Sequence, residues 1–434
     1  MKATDSLARL IWVLVILTGL SADCLPAWDS HFLLTRMATQ ALGHQVPLLT
    51  QEVAPTSLAT FVKRNNAALK NTLRAFHDWK QKTYTYPHWK LSEANAALLQ
   101  GSAIMTPVQF LEILGVSSTA FSKMVFQKEY VDLYGPRYAN PHLPRSFGEW
   151  LTLFSDEPDW GMDQGLFGTG DPRYGDIPYG DAAGTGSQAP FHMTFPFENW
   201  VTYKLKSSLK QGMAHLRFMV FCSLTQVALN AGDHFWAARF LGSAVHYFED
   251  FTMPYHASAV PFLNPLVFVK AIFAKDKERF NRENTQLLSN RHKLYEAVAA
   301  RAQVLAFETP ESLLPNLQSR LDALADSLAD NNGKTANTRL YARFFSLGKL
   351  AFGHAHKVDK LVGKSFPKSL VADPNYDPFA NGSFDVTPYY PDALVQSWLD
   401  GKSDKRTQML DEARKDLSQA VEAAATAIIV ILRP

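Results

Sequence analysis

Apolar residues recur along this chain at the three-to-four spacing of amphipathic helices, with no succession of the two-residue alternation that marks half-buried strands. Residues 28–43, WDSHFLLTRMATQALG, carry an apolar face and stop at Gly43. Several helical runs follow between 56 and 155, among them SLATFVKRNNAALKNTLRAFHDW and SEANAALLQG. From 156 to 192 the period is lost in a stretch dense in Gly, Asp and Pro, which predicts a long loop. A structureless stretch of that length inside a compact domain is usually functional. The helical pattern returns from Trp200 to Phe251, with few Pro or Gly residues. PFLNPLVFVKAIFAKDKERFN, from Pro261 to Asn281, is apolar first and charged after; it reads as a core helix or as a membrane-facing lid. Two more helical runs occupy 309–362, and 363–391 is a loop rich in Pro, Asn and Asp. SDKRTQMLDEARKDLSQAVEAAATAIIVIL then predicts a capped helix with an apolar tail. There is no internal repeat. The pattern predicts an all-α protein without an appended β-sandwich.

Composition adds a compartment. Residues 1–27 read as a secretory signal: Lys2 and Arg9 precede the apolar run Leu10 to Leu20, and Ala27 offers a cleavage site. That run suits a signal better than a spanning helix, because it is too short for a bilayer. Cleavage there makes Trp28 the first mature residue of a single domain over 28–434, secreted or periplasmic. It also removes Cys24 and leaves Cys222 alone, so no disulfide framework forms. With 434 residues, 47% hydrophobic and 19% charged, the chain is long enough to build a core without staples. A formal charge of +2 gives no electrostatic case for nucleic acid, and nothing implies a protein partner.

Candidate chemistry gathers in HYFEDFTMPYH, where His246, Asp250 and His256 follow H-x3-D-x5-H. At about 100° per residue, His246 and Asp250 share one helical face. Pro254 then breaks the helix and lets His256 turn back toward the same site. Imidazole and carboxylate on one rigid element suit a borderline-soft cation such as zinc. His292 and Glu296 form a second i,i+4 pair on a run of good helix formers. Each pair alone reads better as a satisfied core histidine with a surface acid, or as a solvated ion pair, than as a metal site. Trp28 and His31 add an amine, a carbonyl and an imidazole at the expected mature terminus, and Asp159 and His192 bound the long loop. Asp156 and Asp163 are rivals for the Asp159 role. The other eight histidines (His44, His77, His88, His142, His215, His234, His354 and His356) show no such arrangement.

Trp28, SHFLLTRMA around His31, PDW around Asp159, His192, HYFEDFTMPYHA and HKLYE occur in an order that resembles the bacterial zinc-dependent phospholipases C, a family related to the fungal single-strand-specific nucleases. The resemblance covers about 28–296 and implies a multi-helix phospholipase C-like fold with long inserted loops and three zinc ions in a cleft. It implies that His192, His246 and Asp250 hold one zinc with Asp159 beside it, and that His256, His292 and Glu296 hold a second. The amine and carbonyl of Trp28, His31 and a shared Asp250 oxygen would hold the third. Trp28 and His31 are closer together than in the phospholipases, nearer the nuclease spacing, and the stretches between Asp159 and His192 and between His256 and His292 are long.

Such a cluster fits phosphodiester hydrolysis. Zinc lowers the pKa of bound water toward neutrality and offsets charge building on phosphate oxygens. Asp159 would orient or deprotonate the attacking water. With a phospholipid membrane as substrate, the products are diacylglycerol and a phosphorylated head group. Two alternatives stay open. One is a nuclease or nucleotidase of the same superfamily; near-neutral charge, the PYHA ending and the apolar stretch after Pro261 argue for lipid. The other is a non-catalytic helical protein with structural zinc or a lipid-binding cleft. Structural zinc cages are closed and usually rich in Cys, which this carboxylate-rich set is not.

Overall fold

The computed structural model describes residues 31–83, 106–116, 143–159, 192–205, 209, 212–259, 261, 276–310, 314–329, 333–376 and 403–433, and within them the chain is mostly helical, as the three-to-four spacing predicts. The elements are α1 (His31–Leu42), a 3-10 turn (Pro47–Thr50), β1 (Glu52–Val53), α2 (Leu58–Thr83), α3 (Pro107–Ile113), β2 (Arg145–Ser146), α4 (Phe147–Ser155), α5 (Trp200–Leu205), α6 (Ala214–Asn230), α7 (His234–Asp250), α8 (Pro254–Ala257), α9 (Lys277–Glu308), α10 (Leu317–Ala329), α11 (Ala336–Ser365), α12 (Lys368–Val371) and α13 (Asp404–Leu432). The two strands pair antiparallel, Glu52 opposite Ser146 and Val53 opposite Arg145. Two residues give no period to read, so this pairing left no signal in the sequence. It delivers the chain into α4, whose start is a capping box: the Ser146 hydroxyl accepts from Glu149 N and the Glu149 carboxylate from Ser146 N.

Helix α7 is the axis. All of its residues from Phe235 to Asp250 are buried, the profile of a helix with neighbours on every side. It follows α6 as a hairpin, because Gly232 takes a left-handed φ of 68° and Asp233 then caps the new helix at Trp236 N. The helical pattern from Trp200 to Phe251 is thus divided into three helices. Against α4 the approach is backbone-close: a Cβ on Gly242 would lie 2.7 Å from the Leu151 carbonyl oxygen and 2.7 Å from Phe154 Cβ. Helix α13 backs α7 and also packs on α1, α9, α10 and α11, burying most of its face from Met409 to Ile431.

Several boundaries differ from the pattern. Helix α7 ends at Asp250, before Pro254, as the Thr252 hydroxyl and amide both turn back onto the Glu249 carbonyl. Pro254 opens α8 instead, where its missing N–H is no loss. Within Pro261 to Asn281, residues 277–281 belong to α9, which Asp276 caps at Arg279 N. The expected loop from 363 holds the last turn of α11 and all of α12, anchored by buried Leu370 and Val371. The expected signal, SEANAALLQG, the loop over 160–191 and residues 262–275 and 377–391 lie outside the described residues. Among the described residues no helix is long and apolar enough to cross a membrane.

Candidate metal centre

Six parts of the fold deliver the side chains. His31 opens α1, and His246, Glu249 and Asp250 share α7. Asp159 follows α4 on a short segment tied down twice. Within it, Glu157 pairs with buried Arg239 of α7, Nε to Oε2 at 2.9 Å, and Asp156 accepts from Phe32 N of α1 at 2.8 Å. Asp156 thus holds the start of α1; Asp163 lies outside the described residues. His192 lies ahead of α5, His256 sits on α8, and His292 and Glu296 stand one turn apart on α9.

These side chains converge into three groups able to hold a metal ion: His31 with His246 and Asp250; Asp159 with His192 and His246; and His256 with His292 and Glu296. Ligands on a tetrahedral zinc sit about 3.3 Å apart, and the separations bracket that value. His192 Nδ1 is 2.8 Å from His246 Nε2, 2.9 Å from Asp250 Oδ2 and 3.6 Å from Asp159 Oδ1. His246 Nε2 is 3.2 Å from Asp250 Oδ2 and 3.7 Å from Asp159 Oδ1. In the α9 group, Glu296 Oε1 is 3.0 Å from His292 Nε2 and 3.9 Å from His256 Nε2. Asp250 links the halves, its Oδ1 lying 3.5 Å from His31 Nε2 and 3.2 Å from His256 Nδ1. Trp28, expected beside His31, lies outside the described residues.

The donor set suits a cation. Buried His31 Nε2, Asp159 Oδ1, Asp250 Oδ1, both nitrogens of His256, His292 Nε2 and both oxygens of Glu296 make no hydrogen bond among the described residues. Leaving buried polar atoms without one costs about 1–3 kcal/mol each; Glu296 Oε2 faces Lys293 Nζ at 3.2 Å, and the others belong to side chains of the three groups. His246 Nδ1 lies 2.7 Å from the Ser155 carbonyl oxygen, which can only accept, so Nδ1 carries the proton and Nε2 the lone pair.

Electrostatics agrees. Burial pushes the Asp159 carboxyl up to about 8 and Glu249 up to about 7, and pushes His246 down to about 3. Burial opposes ionisation of Asp250 too, but His246 and His256 override it and hold its carboxyl well below the usual range. For His31 burial is outweighed by Asp250 and Glu249, which hold the ring well above its ordinary value. Glu296 is likewise lowered against burial, by His292 and Lys293. Carboxylates crowded into a dry site are what a bound dication neutralises.

The structure thus gathers His31, Asp159, His192, His246, Asp250, His256, His292 and Glu296. Sequence reasoning missed three supports. Glu249 holds His31 Nδ1 at 2.7 Å, Ser155 holds His246, and buried Lys293 lies 3.2 Å from the second Glu296 oxygen. Glu249 lies inside the quoted motif, and its position beside Asp250 was the one available signal. Elsewhere, His44 meets Asp322, His215 meets Thr194, His354 bonds the Leu350 carbonyl and Asp416, and His356 the Pro261 carbonyl. His88 and His142 lie outside the described residues. No protein-family model matches the chain, and no curated protein or solved structure matches it.

Proposed function

We propose that this protein is a secreted zinc-dependent phospholipase C of the family its motifs resemble, hydrolysing the glycerol-side phosphodiester of membrane phospholipids. The observation that carries the reading is Asp250, with Oδ2 at 2.9 and 3.2 Å from His192 and His246, and Oδ1 at 3.2 and 3.5 Å from His256 and His31. Cations a few Å apart need an anion between them, and this carboxylate faces both halves of the ligand set. Histidine and carboxylate donors without Cys suit catalytic zinc over a structural cage.

His192, His246 and Asp159 would hold one ion, His256, His292 and Glu296 a second, and His31 with Asp250 and the Trp28 terminus a third. Zinc bound there supplies Lewis acidity to phosphate oxygens and acidifies water. Asp159 is the member that meets solvent, its side chain 10% exposed against 0% for His31, His192, His246 and Asp250. That exposure suits it to take the proton of the attacking water. Buried Asp250 and Glu296 contribute fixed negative charge, and the α7 backbone keeps Asp250 in register with His246.

The test is head-group release from phosphatidylcholine and phosphatidylglycerol vesicles beside a single-stranded DNA digest, each with and without chelator. Chelator-sensitive lipid cleavage with intact DNA is the expected outcome. DNA loss with untouched lipid would move the protein to the nuclease reading, and zinc binding without either cleavage would favour the non-catalytic one.

A further inference from the structure

An imidazole that ligates a metal through one nitrogen must carry its proton on the other, and that proton needs an acceptor. For His31 the acceptor is a full carboxylate. Glu249 Oε2 lies 2.7 Å from His31 Nδ1, and Glu249 Oε1 takes a hydrogen bond from the Thr35 hydroxyl at 3.0 Å. All three side chains are completely buried. His31 and Thr35 are one turn apart on α1, so Glu249 clamps the start of α1 onto α7 through a pair of bonds. On the far side of the ring, Nε2 makes no hydrogen bond and faces Asp250 Oδ1 at 3.5 Å and Asp159 Oδ2 at 3.8 Å. His246, 3.8 Å away ring to ring, has its Nδ1 held only by the neutral Ser155 carbonyl. A carboxylate does more than a carbonyl: it orients the ring and makes the opposite nitrogen a stronger donor to a cation.

We propose that Glu249 is the positioning residue of the third metal position, fixing His31 as the Nδ1–H tautomer so that Nε2 becomes a ligand. The proposal rests on the metal reading above, and it assigns to Glu249 a task that Asp250, its neighbour on the same helix, does not perform. Glu249 touches neither substrate nor the reacting water, and its effect passes entirely through His31.

The experiment compares metal-stripped wild type with Glu249→Gln, Thr35→Val and His31→Ala. Each is titrated with zinc and analysed for bound metal at fixed free zinc. Histidine ring-nitrogen chemical shifts of the loaded proteins report which His31 nitrogen carries the proton, a readout that a merely structural contact would not move. Glu249→Gln should weaken one ion about 10- to 100-fold, the same ion that His31→Ala loses, leave the others as in wild type, and blur the His31 tautomer. Thr35→Val, which keeps the carboxylate but removes the partner of Oε1, should fall between. If His31→Ala loses an ion and Glu249→Gln binds as wild type, the positioning role is wrong while the metal reading stands. If His31→Ala loses none, His31 is no ligand and both go. Should Glu249→Gln fail to fold, wild-type affinity and tautomer in Thr35→Val overturn the proposal.

Discussion

Asp250 and Asp159 are both acids in the same cluster, and their surroundings give them different consequences on removal. Asp250 faces His31, His192, His246 and His256 from inside the protein, whereas Asp159 meets solvent at one side. Asp250→Ala should therefore lose more zinc than Asp159→Ala, and equal metal content by elemental analysis would count against a bridging role. On the proposed reading Asp159→Asn keeps the shape and removes the proposed base: bound zinc should persist while turnover falls by about 10²–10⁴, and normal turnover would take Asp159 out of the chemistry. The candidate ligands His246, Asp250, His256, His292 and Glu296 were legible because they come as i,i+4 pairs and a short turn, which local geometry places without knowledge of the fold, whereas His31, Asp159 and His192 were reached through the resemblance. Glu249 was not, since its partner His31 is 218 positions away and nothing local separates an inward Glu from a solvated one. Asp156 illustrates the same limit: in sequence it competes with Asp159, and only its bond to Phe32 N, 124 positions away, assigns it to α1.

Helices, once folded, hold those residues through a few close contacts. Gly242 lets α7 and α4 touch at backbone distance, one turn before His246 meets Ser155. Gly242→Ala should push the helices apart, costing about 1–3 kcal/mol or more by overpacking and weakening zinc at His246; denaturant melts and a zinc titration check both. Glu157 secures the segment bearing Asp159 through Arg239, and both side chains are buried. Glu157→Gln leaves a buried guanidinium short of its counter-charge, a loss of about 3–5 kcal/mol readable in the same melts. At this scale the long periodic helices α1, α2, α7, α9, α11 and α13 were legible and their ends less so. Pro254 looks like a breaker, yet the break is made earlier by Thr252 closing on Glu249. The apolar-to-charged stretch beginning at Pro261 gave no hint that Asp276 starts a fresh helix, because a cap is one side chain on one amide.

Across the whole molecule, stability should follow both metal and acid. A bound ion at 100 times its Kd adds about 2.7 kcal/mol, so chelation should lower Tm in calorimetry; an unchanged Tm would argue against the metal reading. Away from the cluster, burial alone would raise the Glu412 carboxyl, but hydrogen bonds from Lys357 and Lys415 at 2.8 and 2.6 Å hold it below its ordinary value. A depressed carboxyl stabilises above its unfolded pKa and loses that contribution as pH falls through the folded one. Glu412→Gln should thus be less stable than wild type at pH 7, by about 0.5–1 kcal/mol given the exposed lysines. The gap should close in metal-free melts below about pH 4. Glu412 belongs to α13, and that helix has a kinetic consequence as well. The candidate ligands span His31 to Glu296, yet three of the four helices that carry them, α1, α7 and α9, lean on residues 404–432. In a nascent chain that has not yet reached 404–432, the faces of α1 and α7 that pack on α13 lack their cover. A chain ending before Ser403 should then be a client for chaperones, with its metal ligands translated and still scattered.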